Sequence, residues 1–172
     1  MGLVMKKAIL SVIILLVLGI GVMFISMSKG DIEDVIACSL GEGTHYIPES
    51  LCKYYLYNYR ANDSDINYLQ MRSGLNFIVN ILNVKERNKL LKYFISKGLD
   101  INKQSNVDGF TPIHAAILLN DEKLVSFLLA NGASLSVVDK TYMLTPIQFV
   151  KLLIEKKPSI DRNAVLALLT RK

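Results

Sequence analysis

Side chains that carry chemistry are scarce in this chain. Its 172 residues include only two histidines, His45 and His114, and two cysteines, Cys38 and Cys52. No Gly-x-Ser-x-Gly elbow, glycine-rich phosphate loop or closely spaced histidine pair occurs, so the usual carriers of hydrolase and nucleotide chemistry are missing. A metal set built from Cys38, His45 and Cys52 fits no common zinc spacing and lacks a fourth ligand. The expectation is therefore a protein that is not an enzyme and holds no metal or cofactor. Positive charge is also thin. Of the formal +5, Lys6 and Lys7 lie ahead of an apolar segment and leave +3 for the remainder. Nucleic-acid binding usually needs a concentrated basic stripe, and none is present. What charge there is runs along the chain. Seven acids stand against Lys53 and Arg60 over 31–65, and seven bases against Glu155 and Asp161 over 140–172.

The long uncharged run is at the start. Residues 8–28 carry no charge and are dominated by Ile, Leu and Val. Twenty-one helical residues span roughly 30 Å, the thickness of a bilayer's hydrocarbon core. Lys6 and Lys7 before the run, with Asp31, Glu33 and Asp34 after it, orient the N-terminus to the cytoplasm and the remainder outside. A cleaved signal would have a shorter apolar region and an A-x-A-like end; Ser26-Met27-Ser28 is a poor version of one. The segment reads as a transmembrane anchor or an uncleaved signal. Cys38 in Val35-Ile36-Ala37-Cys38 is separated from the run by the charged 29–34 stretch, against lipid attachment. Lys6 stands where a myristoylation motif needs Ser or Thr.

Outside a reducing cytoplasm, Cys38 and Cys52 can pair and close a loop worth on the order of 3 kcal/mol. Two separate buried thiols are the other structural reading. The tyrosines 54, 55, 57 and 59 follow in a segment expected to be helical over 51–59.

An internal repeat is the strongest signal. Residues 89–98 recur at 123–132, with Lys89, Leu90, Leu91, Phe94 and Gly98 answered by Lys123, Leu124, Val125, Leu128 and Gly132. Thr111-Pro112-Ile113 recurs as Thr145-Pro146-Ile147 at the same spacing of 34. Thr-Pro starts a helix, Thr as cap and Pro at the first helical position. Ala115 and Ala116 permit close helix packing. Leu124, Val125, Phe127 and Leu128 form the apolar face of a second helix, and Gly132 supplies the left-handed stop. One such pair cannot bury its own face, so neighbours must stack.

From Asp108-Gly109-Phe110-Thr111-Pro112-Ile113-His114-Ala115-Ala116 to Asn131-Gly132-Ala133, the chain resembles the ankyrin repeat. The likeness is clear over 75–170 and fades upstream. The unit near Leu75 lacks the Thr-Pro-x-His signature, with Phe77, Ile78, Val79 and Asn80 around the matching positions. The last unit has Gln148 for the usual His, and Val150 and Lys151 for Ala. It also carries an insertion at 155–159 before a final helix over 163–169. The expected fold is all-α, an ankyrin-repeat solenoid of three to four helix pairs preceded by one transmembrane helix. Its segments are a cytoplasmic N-terminus (1–7), an anchor (8–28), a capping region with a degenerate first repeat (29–73), two repeats (74–107 and 108–140) and a capping repeat (141–172).

The resemblance implies a protein-binding module, with His114 bonded to a neighbouring backbone rather than reactive. It also implies where a partner sits: Asn106, Val107, Asp108 and Phe110 at one hairpin, Leu118 and Leu119 after the first helix, and Lys140, Tyr142, Met143 and Lys151 in the next unit. Phe110, Leu118, Tyr142 and Met143 are the expected anchors, because aromatics and Met at exposed tips suit interfaces. Short anchored proteins of this kind look like two bacterial groups. One neutralises an antibacterial toxin, often a type VI secretion effector such as a phospholipase in the periplasm. The other is a membrane-tethered scaffold that supports oxidative-stress defence. Either places the chain in the bacterial inner membrane with its C-terminal domain in the periplasm.

Overall fold

In the computed structural model, which describes residues 2–42 and 46–171, every regular element is a helix, as expected from the sequence. The chain divides between Ala61 and Asn62 into two compact units.

The first unit begins with α1 (Gly2–Lys29), which is longer at its start than the uncharged run alone. It is the one helix among the described residues that is long and apolar enough to cross a membrane. Its side chains Leu15, Leu16, Val17 and Leu18 are exposed, because nothing in the unit covers them. Two short helices follow, α2 (Ile32–Ser39) and α3 (Glu49–Tyr59). α2 places Ile32, Val35 and Ile36 on one buried face, and α3 answers with Cys52, Tyr55 and Leu56. Cys38 and Cys52 are joined by a disulfide with Cα atoms 5.8 Å apart. α3 is the helix that carries the tyrosines. It packs on α2, where Leu56 and Cys52 are buried. Arg60, at its end, donates to the carbonyls of Met27 and Gly30, 3.0 Å each, and so caps the C-terminus of α1 with positive charge.

The second unit opens with α4 (Asp63–Met71) and continues as three helix pairs: α5 (Asn76–Val79) with α6 (Val84–Ser96), α7 (Pro112–Leu118) with α8 (Glu122–Ala130), and α9 (Pro146–Lys156) with α10 (Asn163–Thr170). The first members of the pairs stack α5 on α7 on α9, and α10 packs on both α8 and α9. The repeated apolar positions make the core: Leu90, Leu91 and Phe94 in one pair, Leu124, Val125 and Leu128 in the next. Ala115 and Ala116 are buried where α7 meets its neighbours, as their size requires. At the end of α8, Gly132 takes φ +95°, and the N–H of Ala133 closes back on the carbonyl of Leu128 at 2.9 Å. The outer helices are also cross-linked. Arg87 in α6 pairs at 2.5 Å with Asp121, whose other oxygen caps α8 at Leu124 N.

Candidate functional site

Between the helix pairs the chain makes tight hairpins, closed by Ser105 N–H on the Phe110 carbonyl at 2.9 Å and by Asp139 N–H on the Leu144 carbonyl at 3.0 Å. The two closures are 34 residues apart, so one hairpin lies beside the next. Polar side chains hold them in register. The Lys140 ammonium reaches Asn106 Oδ1 at 2.7 Å, the Thr141 hydroxyl donates to the Asp108 carbonyl at 2.8 Å, and the Lys140 N–H donates to the Gly109 carbonyl at 2.8 Å. Asn106, Asp108 and Lys140, expected at the partner surface, therefore also join repeat to repeat.

The base of each hairpin is built differently. In the first, the Ser105 hydroxyl accepts from Val107 and Asp108 N–H, and Asp108 accepts from Phe110 N–H. In the second, fully buried Asp139 accepts from Thr141, Tyr142 and Leu144 N–H at 2.7, 2.5 and 3.1 Å. Three donors compensate the cost of burying that side chain.

His114 is fully buried at the join of two repeats. Its Nε2 lies 3.0 Å from the Leu144 carbonyl, which can only accept, so Nε2 carries the proton. Nδ1 then accepts from the Thr111 hydroxyl at 2.6 Å. Thr111 occupies the N-cap of α7 but makes no side-chain cap bond there. Burial pushes the imidazole's pKa below its ordinary range; the Leu144 carbonyl and the Asp139 carboxylate partly offset the push.

One expected anchor is placed elsewhere. Phe110 is only 9% exposed, sandwiched among the rings of His114, Tyr142 and Phe149 with centroids 6.4, 6.2 and 5.3 Å away. A side chain held in that stack belongs to the core and not to a contact surface. Tyr142 and Met143 remain in solvent, 49% and 67% exposed, as does Val107. Leu118 and Leu119 are exposed at the far end of α7 from the hairpin, and Lys151 is exposed on α9. The predicted set thus separates into a hairpin cluster and a smaller apolar patch.

Met143 has a further property. Its φ is +57°, left-handed, and it stands 34 residues after Gly109, whose φ is +75°. A side chain at Gly109 would run 2.5 Å from the Thr141 hydroxyl and 3.2 Å from Lys140 Cβ, so the adjoining hairpin demands glycine there.

Asn76, not singled out from the sequence, does the work of a missing histidine. It is buried, and its amide donates to the Phe110 carbonyl at 3.0 Å, the position equivalent to Leu144, and to Asp108 at 3.0 Å. The signal was a lone polar residue between Leu75 and the apolar run 77–79. Arg162 was also missed. It donates to the Ile117 carbonyl at 2.7 Å and fastens the C-terminal segment to α7.

His45, the middle member of the rejected metal set, lies outside the described residues. Cys38 and Cys52 are bonded to each other, which removes both thiolates as ligands. Among the described residues no cluster of three or more His, Cys, Asp or Glu is placed to hold a metal.

Residues 81–129 match the family model described as ankyrin repeats (many copies). Two curated proteins are similar. The arginine ADP-riboxanase OspC3 of Shigella flexneri is 37% identical over 81 residues, 45% of this chain and 14% of that protein. The putative ankyrin repeat protein FPV223 of Fowlpox virus (strain NVSL) is 38% identical over 63 residues, 37% of this chain and 44% of that protein. This chain thus spans less than half the length of either. The stretch that matches, with its hairpin, is similar to ankyrin repeats, a module for protein–protein interaction.

Proposed function

We propose that this chain is a membrane-tethered ankyrin module that binds an antibacterial toxin outside the cytoplasm and neutralises it by occlusion. The observation that carries the reading is Met143. A methionine in the left-handed region costs on the order of 1–2 kcal/mol, and its side chain is left in water beside exposed Tyr142. Tyr142 also packs on Phe110 and Phe149, but the turn itself needs no methionine, since glycine fits the left-handed region. A partner that takes up both side chains would need one. Tyrosine and methionine are suited to that task, one as a rigid anchor and the other as an adaptable filler.

Occlusion needs no chemistry from the chain. The hairpin surface covers the toxin's active-site mouth or its membrane-docking face. The exposed bases Lys140, Lys151, Lys156 and Lys157 favour an acidic patch on the toxin. α1 serves as the anchor, with Lys6 and Lys7 on the cytoplasmic side. The Cys38–Cys52 disulfide suits an oxidising compartment.

The test is capture with the tagged full-length chain from solubilised bacterial cells, paired with a competition assay. The expected result is one stoichiometric toxin, lost with Tyr142→Ala plus Met143→Ala, and killing by sister cells when the chain is deleted. Recovery of envelope or redox proteins alone, with no sensitivity to sister cells, would move the reading to a periplasmic scaffold or stress-defence role.

A further inference from the structure

Tyr55 and Tyr59 of α3 meet Phe24 of α1, and Tyr54 joins the cluster through Tyr59. The Phe24 ring meets Tyr55 edge-on at 5.3 Å and Tyr59 at 5.8 Å, Tyr55 stacks on Tyr59 at 5.5 Å, and Tyr54 lies 6.0 Å from Tyr59. Tyr55 is buried within this cluster, but Tyr54 and Tyr59 are 52% and 54% exposed. Two large aromatic side chains in water, beside a helix of membrane-spanning length, need an occupant for their outer faces.

Depth along α1 identifies it. Phe24 precedes Ser28, the last residue of the uncharged run, by about 6 Å at the helical rise of 1.5 Å per residue. With the 8–28 run filling the hydrocarbon core, Phe24 and its tyrosine neighbours lie within about one helical turn of the core's outer boundary. That is the level at which tyrosine rings are enriched, the ring in apolar surroundings and the hydroxyl among headgroups. The arrangement is also fixed rather than incidental. Arg60 ties the end of α3 to the Met27 and Gly30 carbonyls, and Met27 is buried beneath the helix pair.

We propose that the Tyr54–Tyr59 face of α3 is a membrane-interface docking surface, which seats the first unit in the outer headgroup region beside the end of its own anchor. The proposal rests on the membrane reading of α1. It adds a second point of attachment, so α2 and α3 lie on the bilayer rather than swinging free of it.

The chain contains no tryptophan, so a single substitution makes a clean reporter. The full-length variants Tyr54→Trp, Tyr59→Trp and Leu16→Trp are reconstituted in mixed phosphatidylcholine–phosphatidylglycerol vesicles. The vesicles carry lipids brominated either near the headgroup or near the chain end. Expected are blue-shifted emission at 54 and 59 with most intensity lost to the shallow bromines, and quenching of Leu16→Trp by the deep ones. If Leu16→Trp is quenched while both tyrosine-site reporters keep water-like, unquenched emission, the docking surface is overturned and the anchor stands; those tyrosines then belong to a protein partner. If Leu16→Trp itself escapes the deep bromines, the anchor reading fails and takes this proposal with it.

Discussion

The internal repeat and the terminal repeat begin with the same Thr-Pro step, yet their helix starts are wired in opposite directions. In the internal unit the third residue after Thr111 is His114, which reaches forward to the Leu144 carbonyl of the next unit. The Thr111 hydroxyl donates to its Nδ1, and α7 has no side-chain cap. In the terminal unit that residue is Gln148, which folds back. Its Oε1 accepts from Thr145 N–H at 2.9 Å, the Thr145 side chain accepts from Gln148 N–H, and the two close a capping box on α9. The same contrast holds at the tips, with Gly109 pressed by the adjoining hairpin and Met143 exposed to solvent. A position inside the stack is governed by its neighbour, whereas the equivalent position at the end answers only to its own helix or to a partner.

The sharpest way to break that contrast is at the paired polar residues. His114→Ala removes two buried hydrogen bonds, leaves the Leu144 carbonyl with the Asp139 N–H alone and opens a cavity, an expected loss of about 2–4 kcal/mol. Gln148→Ala, exposed and self-contained, should cost only about 0.5 kcal/mol. Denaturant melts of the detergent-solubilised chain measure both; similar losses at the two sites would refute the forward-and-back wiring.

The tips give a smaller effect, with opposite signs. Gly109→Ala places a Cβ against the Thr141 hydroxyl in a left-handed turn and should destabilise by about 2 kcal/mol. Met143→Gly relieves a left-handed methionine and should stabilise by up to about 1 kcal/mol, while weakening partner capture. A Met143→Gly variant that is less stable would mean the side chain is held by the fold and is no free anchor.

Titration supplies the smallest effect. The folded-state pKa of His114 is depressed below its ordinary 6.5, so the folded protein resists a proton that the unfolded chain accepts. His114 therefore contributes fully above about pH 6.5, and its contribution declines as pH falls from there through the depressed folded value. The slope cannot exceed about 1.4 kcal/mol per pH unit from one group. Urea midpoints taken below neutrality should fall in the parent chain, and the fall should be shallower in His114→Gln. Equal slopes in the two proteins would assign the acid sensitivity elsewhere.

The helix pairs were legible because their signals are local and repeat: Thr-Pro starts, a 34-residue period, paired alanines and a glycine stop. The candidate surface was legible only in part. Tyr142 and Met143 are exposed as tip residues should be, but Phe110, read as another, is drawn inward by the rings of His114, Tyr142 and Phe149. Asn76 escaped because its unit lacks the Thr-Pro-x-His signature, and its role depends on a carbonyl 34 residues away.

The sequence by itself determined that this is a stack of helix pairs following a long apolar helix, since periodicity and an unbroken uncharged run are properties of the chain alone. Only the tertiary structure decided which polar group serves each join. Asn76, His114 and Arg162 each bond a backbone carbonyl at least 30 residues away, and Asp139 gathers three N–H groups of its own hairpin. It also chose the Cys38–Cys52 bond over the two separate thiols that the sequence left open, and it decided that Phe24 meets Tyr55 and Tyr59. Such pairings depend on which segments are brought side by side, and no local pattern of residues encodes that.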